Sequence, residues 1–520
     1  MKRSLCMLLA GLLVLVMASP LYAQPDIKVF GQIRTRLRYW VNIDLDDTNA
    51  SSTTAAAGDR RYFDTRTRLG VDAKLAEGVR AVIELEKYFD FGSIQPNAAT
   101  SAGVDPLLNR PGQTDQSPYF RQAWIDFVVP GLQEYGTRIQ AGRSFFRVGN
   151  GFVWGDSLTG EDGFTLYGPL GPGNFKARFS QTTNQNTTVL GAPAPATRAR
   201  FFDNEVNNFM LDYKFPVVEK QNLELYFIGQ YDRAVDNFST LLSTATVAGA
   251  TSPVRHGENY WVGAAYDGVA GPIALKAEGV YQFGKTRKDV AFDTGTGLPC
   301  TVAAATCTRV DDISRQAFFL YGEGRYKIIP AWDVAMAVTF SSGHSGSAGD
   351  TYYNFVAPLS EWTTSMSNIF SDSQFYYGNR TARAIGSAVT SRLYNYWGRG
   401  TMDVDVLGGA STADDLSLYS PGLFELEFKT KYAFNPQVTG NLAVIPMWAH
   451  RSPGGSGQYM GTGIDATVGY KPYANLLING YISYFVAGGF FNQGGALLAG
   501  QPRQATDNPW MFRAEALVTF

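Results

Sequence analysis

Hydrophobic and polar residues alternate along this chain in runs of about ten residues, which is the period of a β-strand with two different faces. The last run separates an apolar set from a polar set: Phe512, Ala514, Ala516, Val518 and Phe520 against Arg513, Glu515 and Thr519. A strand with lipid on one face and a polar interior on the other has this pattern. The alternation therefore predicts an all-β, membrane-spanning protein.

Short and long connections alternate between these runs. The short ones carry the Gly, Pro or Asn of tight turns, as in Ala76-Glu77-Gly78 and Asn435-Pro436. The long ones are rich in Ser, Thr, Gly, Ala and Asn. The sequence thus predicts an antiparallel transmembrane β-barrel of about eighteen strands with short periplasmic turns and long extracellular loops. Sixteen or twenty strands are alternatives, because the run 163–170 is short and the segment 342–420 could hide another hairpin.

The first residues have the pattern of a secretory signal peptide. Lys2 and Arg3 precede an apolar run, and cleavage is expected after Ala23. We therefore expect residues 1–23 to direct export by the Sec pathway and residues 24–520 to form a barrel in the outer membrane of a Gram-negative cell. Such a barrel would contact outer-membrane lipid and lipopolysaccharide, and Phe520 resembles the carboxy-terminal signal read by the barrel assembly machinery.

Composition agrees with a membrane barrel. Hydrophobic residues make up 45% of the chain and aromatic residues 14%, yet no later segment has the long uninterrupted apolar run of a helical span. Because lipid satisfies no backbone hydrogen bond, closed barrels are the other spanning structure. The formal net charge of −2 gives no indication of a nucleic-acid partner. The sequence is compatible with both a monomer and a homo-oligomer.

Basic residues recur where the alternation directs side chains to the barrel interior. The predicted pore-lining residues are Arg34, Arg36, Arg38, Arg66, Arg68, Lys74, Arg80, Glu84, Asp126, Arg138, Lys176 and Arg178. Arginine presents planar donors suited to carboxylate or phosphate, so this set favours a pathway for anions. The alternative is a packed ionic network, in which interleaved acids such as Asp64 and Glu86 bind the arginines. Later strands are more acidic, as at Glu224 and Glu425, which would place a transverse field across the lumen.

Two connections are candidates to fold into the barrel. Residues 149–156 are Gly-rich and aromatic and stand where many porins have an inward-folded third loop. The segment 342–420 is long and rich in Tyr, Trp and Phe, so it is expected to be functional or ordered by its own packing. A plug in the pore and a lid on the surface are both consistent with its composition.

Cysteine and histidine usage bounds the chemistry. Cys300 and Cys307 are close enough in sequence for a small disulfide loop in an oxidising compartment, with two unpaired thiols as the alternative. His256, His344 and His450 have no spacing typical of a metal site or a catalytic group. We expect no metal, no cofactor and no enzyme activity.

The first strands also carry recognisable motifs. They include Arg66-Thr67-Arg68-Leu69-Gly70 with its flanking strands, then Phe120 to Phe127 and Ile139 to Arg143. Over about the first 180 residues the chain resembles the alginate-export-like family of outer-membrane barrels. This resemblance implies an eighteen-stranded barrel with an arginine-rich conduit. The chain departs from the family pattern at Ser144-Phe145-Phe146. The resemblance therefore implies the fold and the conduit more directly than it implies export of a polysaccharide.

These observations together predict a porin for passive diffusion of small hydrophilic, anionic solutes. One alternative is an exporter of an anionic polysaccharide. Another is a barrel that transports nothing and instead sheathes a multihaem cytochrome or acts as a surface adhesin.

Overall fold

A computed structural model of the chain describes residues 26–41, 60–91, 118–183, 205–232, 255–288, 313–345, 422–451, 458–489 and 508–520, together with a few short strands between them. The predicted signal peptide and most of the segment 342–420 lie outside the described residues.

Within these residues, eighteen long antiparallel strands close into a barrel. They are β1 (Asp26–Val41), β2 (Arg60–Ala76), β3 (Val79–Phe91), β4 (Tyr119–Val128), β5 (Arg138–Val148), β6 (Trp154–Leu170), β7 (Gly173–Thr183), β8 (Glu205–Val218), β9 (Gln221–Asp232), β10 (Arg255–Ala270), β11 (Ile273–Lys288), β12 (Ile313–Ile329), β13 (Trp332–Ser341), β14 (Leu423–Ala433), β15 (Val438–Trp448), β16 (Tyr459–Tyr473), β17 (Leu476–Ala487) and β18 (Trp510–Thr519). The predicted fold class and strand number are confirmed, and the counts of sixteen and twenty are wrong.

Closure comes from the pairing of β1 with β2 on one edge and with β18 on the other. Gly31 and Phe520 exchange both backbone hydrogen bonds, at N–O distances of 2.9 and 3.1 Å. Tight turns such as Glu77-Gly78 and Gly271-Pro272 gather at one end of the barrel, which we call the short-turn end. Both Gly78 and Gly271 have positive φ, a conformation that glycine adopts without a steric cost. The opposite end is the long-loop end.

The outer surface follows the alternation read from the sequence. Outward side chains such as Val29, Leu211 and Ile482 are apolar and more than half exposed. Near the long-loop end, outward aromatic rings contact one another, as Tyr39 does Trp510 at a centroid distance of 5.2 Å. Aromatic rings at the level of the lipid headgroups are typical of outer-membrane barrels, and the exterior therefore suits a bilayer.

Helical structure is minor. The described residues contain one 3-10 turn, Gln133–Tyr135. No helix among them is long and apolar enough to cross a membrane.

The interior differs from the uniformly polar one that the alternation predicts. Inward side chains near the long-loop half include a fully buried apolar set: Ile228, Trp261, Phe319, Met447, Phe485 and Met511. Apolar groups are stable inside a barrel only where they are packed away from water. These side chains are therefore packed against neighbouring groups on the inner wall at this level.

Three short strands after β11 form a separate sheet, with Ala291–Asp293 between Pro299–Cys300 and Cys307–Arg309. Cys300 lies opposite Ala291, and Cys307 lies opposite Asp293. Neighbouring strands are about 4.8 Å apart, so the two cysteine backbones are on the order of 10 Å apart, whereas disulfides join Cα atoms roughly 4.4–6.8 Å apart. The strand pairing thus separates the two cysteines, and their disulfide stays a prediction that would require this sheet to rearrange.

Candidate functional site

Inward arginines of β1 are bound to a single carboxylate on β2. Asp64 accepts hydrogen bonds from Arg36 Nε at 3.0 Å and from Arg38 Nε at 2.9 Å. The side chains of Asp64 and Arg38 are completely buried, and that of Arg36 is 4% exposed. Opposite charges at this burial neutralise one another, so the cluster fills and braces the wall of the barrel.

A second cluster joins β2, β3 and β4. Glu86 binds Arg68 Nε at 2.5 Å and Arg121 Nε at 3.3 Å, with Arg66 Nε at 4.0 Å. Glu84 binds Arg121 Nη1 at 2.5 Å and the side-chain amide of Gln122 at 2.7 Å. The sequence pattern does not identify Arg121 as an interior residue. It is an extra residue at a register shift between β3 and β4, which simple alternation cannot detect.

The predicted pore-lining residues of these strands therefore face the interior mainly as ion-paired groups. Arg36, Arg38, Arg66 and Glu84 are buried, and Arg68 and Arg34 are partly buried. Their contacts correspond to the packed ionic network that the sequence analysis gives as the alternative. A pore-lining role for them remains a prediction that these contacts do not favour.

The remaining predicted pore-lining residues lie toward the short-turn end or against the inner wall. Asp126 binds Arg138, and Asp212 binds Lys176 Nζ at 2.9 Å. Arg178 is buried and donates to Ser144, Thr165 and the Glu161 carbonyl at 2.9–3.0 Å. The exposed members of the predicted set are Lys74 and Arg80.

Basic side chains surround the inner rim of the short-turn end. We call this rim the basic vestibule and define it by Lys74, Arg80, Lys214, Lys276 and Lys431, each on the inward face of its strand and exposed. Arg80 is paired with Asp72, with N–O distances of 2.8 and 2.6 Å. None of the four lysines forms an ion pair with a carboxylate of the described residues. The alternation places Lys214 and Lys276 inward, but they lie outside the arginine-rich strands and are not among the predicted pore-lining residues.

The hairpin between β5 and β6 lies inside the barrel. We call residues 144–161 the inner hairpin. β5 pairs with β4 only as far as Arg143, and Gly142, with φ +118°, stands where β5 leaves the wall. A Cβ at Gly142 would lie 2.3 Å from the Ala123 carbonyl oxygen, so this close approach requires glycine.

The tip of the inner hairpin is anchored to the far wall by two carboxylates. The Gly149 N–H donates to Glu224 Oε1 on β9, and the Asn150 N–H donates to Glu278 Oε2 on β11, both at 2.6 Å. Tyr226 also donates to Glu278, at 2.6 Å. The composition of residues 149–156 predicts an inward fold but not these acceptors, because no local signal links a loop to residues 75 and 128 positions away.

Apolar packing continues the contact. Phe152 lies 5.4 Å from Phe319 and 4.3 Å from Tyr321 of β12, measured between ring centroids. Val153 and Trp154 beside it are completely buried. The inner hairpin therefore follows the inner wall from β7 to β12 and narrows the lumen from that side.

β12 and β14 carry a smaller charge cluster. Lys429 Nζ lies between Glu427 at 2.8 Å and Glu323 at 3.0 Å, and Arg325 binds Glu323 at 3.2 Å. These are the acidic strands from which the sequence analysis expects a transverse field. Glu323 and Glu427 are matched by cations, so the field from these two carboxylates is weaker than their charges alone suggest.

His450 ties two connections together at the long-loop end. Its Nδ1 accepts the Gly343 N–H at 3.0 Å, and its ring contacts Phe340 edge-on at 5.0 Å. Burial, with a smaller contribution from the adjacent Arg451, lowers the pKa of His450 below its usual value. The neutral ring is the form that can accept this hydrogen bond.

This lowered pKa predicts a pH-dependent contribution to stability. The folded state favours neutral His450, so its contribution is complete above the ordinary histidine pKa and is lost as pH falls through the lowered value. We expect the thermal midpoint of the barrel in detergent to fall between about pH 7 and pH 5. In His450→Gln, whose amide oxygen accepts the same bond without titrating, the fall should be smaller. An equal fall in both proteins would exclude His450 as the titrating group.

Among the residues that the structure describes, no group of three or more His, Cys, Asp or Glu side chains is arranged to hold a metal ion.

An eighteen-stranded antiparallel barrel with an apolar exterior, an inward-folded hairpin and a charged interior is the architecture of outer-membrane porins. No family model and no curated protein matches the chain, so membership of the alginate-export-like family is not shown.

Solved porin structures are distantly similar. OccAB1 of Acinetobacter baumannii gives a TM-score of 0.50 at 10% identity, over 97% of this chain and 99% of that chain. A BenF-like porin from Pseudomonas fluorescens gives 0.48 at 10% identity, over 95% and 98%. OccK8 (OprE) of Pseudomonas aeruginosa gives 0.47 at 12% identity, over 95% and 98%. At these identities the likeness concerns the fold.

Proposed function

We propose that this protein is an outer-membrane channel through which small hydrophilic solutes diffuse passively, with anions preferred. The observation that carries the proposal is the basic vestibule at the short-turn end. Four of its five cations form no ion pair with a carboxylate among the described residues, although Asp267 and Asp333 stand opposite Lys276 and Lys431 in the strand register. An electropositive mouth raises the local concentration of anions and lowers that of cations.

The preference should come from the vestibule more than from the arginines of β1 and β2. Buried, paired charges contribute little to the field that a solute experiences in water, while exposed lysines act on it directly. Ionic strength should therefore weaken the preference, since the Debye length falls from about 10 Å at 0.1 M to 3 Å at 1 M salt.

The resemblance to alginate-export-like barrels supports the same sign of charge. It does not extend the proposal to a polysaccharide, because the inner hairpin occupies part of the lumen that a polymer would need.

A liposome experiment tests this function. Vesicles containing the purified barrel should admit a small organic anion faster than a neutral solute of the same size, and a cation slowest. The triple variant Lys214→Ala, Lys276→Ala, Lys431→Ala should reduce this difference and still admit the neutral solute. Vesicles that exclude all three solutes would contradict the proposed channel, and equal rates for all three would contradict the anion preference.

A further inference from the structure

The inner hairpin has two unlike faces. Phe146 and Val148, on the first half of the hairpin, are buried against the barrel wall, where Phe146 lies beneath the cations of Lys176 and Arg178 at 5.6 and 5.1 Å. In an extended strand the residue between them points the opposite way. That residue is Arg147, and its side chain is exposed.

The position of Arg147 inside the barrel follows from its neighbours. Two residues later, Gly149 is bonded to Glu224, and Asn150 is bonded to Glu278, which are inward residues of β9 and β11. An exposed side chain so close to this anchored tip faces water within the lumen. The hairpin therefore turns its apolar side to the wall and Arg147 to the remaining open space.

The guanidinium is also held in place. Arg147 Nη2 donates to the Asn150 carbonyl at the tip. A backbone carbonyl is neutral, so a guanidinium that donates to it keeps its net positive charge. A guanidinium paired with a carboxylate is neutralised. Within the described residues Arg147 makes no ion pair.

Other cations around the hairpin are neutralised or buried. Lys176 is paired with Asp212, and Arg121 with Glu84 and Glu86. Arg178 is enclosed by Ser144, Thr165 and the Glu161 carbonyl. Among the described cations around the hairpin, Arg147 is therefore the exposed one that has no carboxylate partner.

We propose that Arg147 is a specificity-determining residue, whose exposed guanidinium at the narrowed part of the lumen adds to the preference for anions that the basic vestibule gives. This role rests on the proposed channel function and deepens it. It differs from the arginine-lined wall predicted from sequence, because the charge sits on the hairpin and is not matched by a carboxylate.

Arg143 supplies a matched control. It lies four residues earlier on the same strand, on the outward face shared with Ala141, and is paired with Asp162 at 2.7 Å. Its guanidinium has the same chemistry but lies outside the lumen. Arg143→Ala should leave ion preference unchanged.

The test is the reversal potential of each variant in a planar bilayer under a salt gradient. Arg147→Lys should keep the wild-type preference, Arg147→Ala should reduce the anion-to-cation permeability ratio several-fold, and Arg147→Glu should reduce it further. If the Ala and Glu variants match Arg143→Ala, the proposal is wrong. If they change only the size of the conductance and leave the reversal potential in place, Arg147 has a structural role and the proposal is again wrong.

The proposed channel function is judged separately in the same experiment. A wild-type barrel that conducts nothing contradicts that function, and a conducting wild type with unresponsive Arg147 variants contradicts only the role of Arg147.

Discussion

Asp64→Asn should destabilise the barrel by about 3–5 kcal/mol, the usual cost of removing one partner from a buried ion pair. Asp64 neutralises both Arg36 and Arg38, and all three side chains are almost inaccessible to water. The amide would remove the carboxylate that these two buried guanidinium groups share. Thermal unfolding in detergent, followed by the shift in gel mobility that accompanies barrel unfolding, measures the change.

Asp72→Asn is the matched control for this substitution. Asp72 binds Arg80 with similar distances, but the Arg80 side chain is 51% exposed. Exposed pairs contribute at most about 1 kcal/mol, so the control variant should unfold close to wild type. Equal losses in the two variants would show that the β1–β2 cluster does not act as a buried network.

Phe152→Ala should release the inner hairpin and widen the channel. Truncating a buried Phe typically costs about 3–5 kcal/mol, and Phe152 is the ring by which the hairpin contacts Phe319 and Tyr321. We expect a larger unitary conductance with frequent transitions between levels, measured in planar bilayers.

Phe164→Ala is the control for this substitution. It removes a ring of the same size from β6, but Phe164 lies on the outer surface of the barrel, where it is 62% exposed. Its conductance should equal that of the wild type. If Phe152→Ala also conducts like the wild type, the packing of Phe152 does not hold the hairpin in the lumen.

Much of this fold could be predicted from sequence because a barrel strand has only two faces. A period of two assigns lipid and interior without knowledge of the neighbouring strands, and tight-turn residues mark the short-turn end. The same rule fails where a strand leaves the regular pattern. Arg121 stands at a register shift and Gly142 at the exit of the inner hairpin, and both positions depend on contacts between strands.

The candidate site was less predictable because exposure is a tertiary property. Alternation directs Arg36 and Lys276 to the same interior, yet one is buried beside Asp64 and the other is open to water. Arg147 lies just before residues 149–156, which the sequence predicts as an inward-folded loop. Its position depends on Glu224 and Glu278, which are distant in the chain and become neighbours only when the barrel closes.

The most direct measurement is the reversal potential of the wild-type protein in a planar bilayer under a salt gradient. A steady conductance whose reversal potential shows anion preference, weakening as the salt concentration rises, is the result expected from the basic vestibule and Arg147. A barrel that conducts without preference, or prefers cations, would contradict the account of the charged interior, and a barrel that conducts nothing would contradict the channel itself.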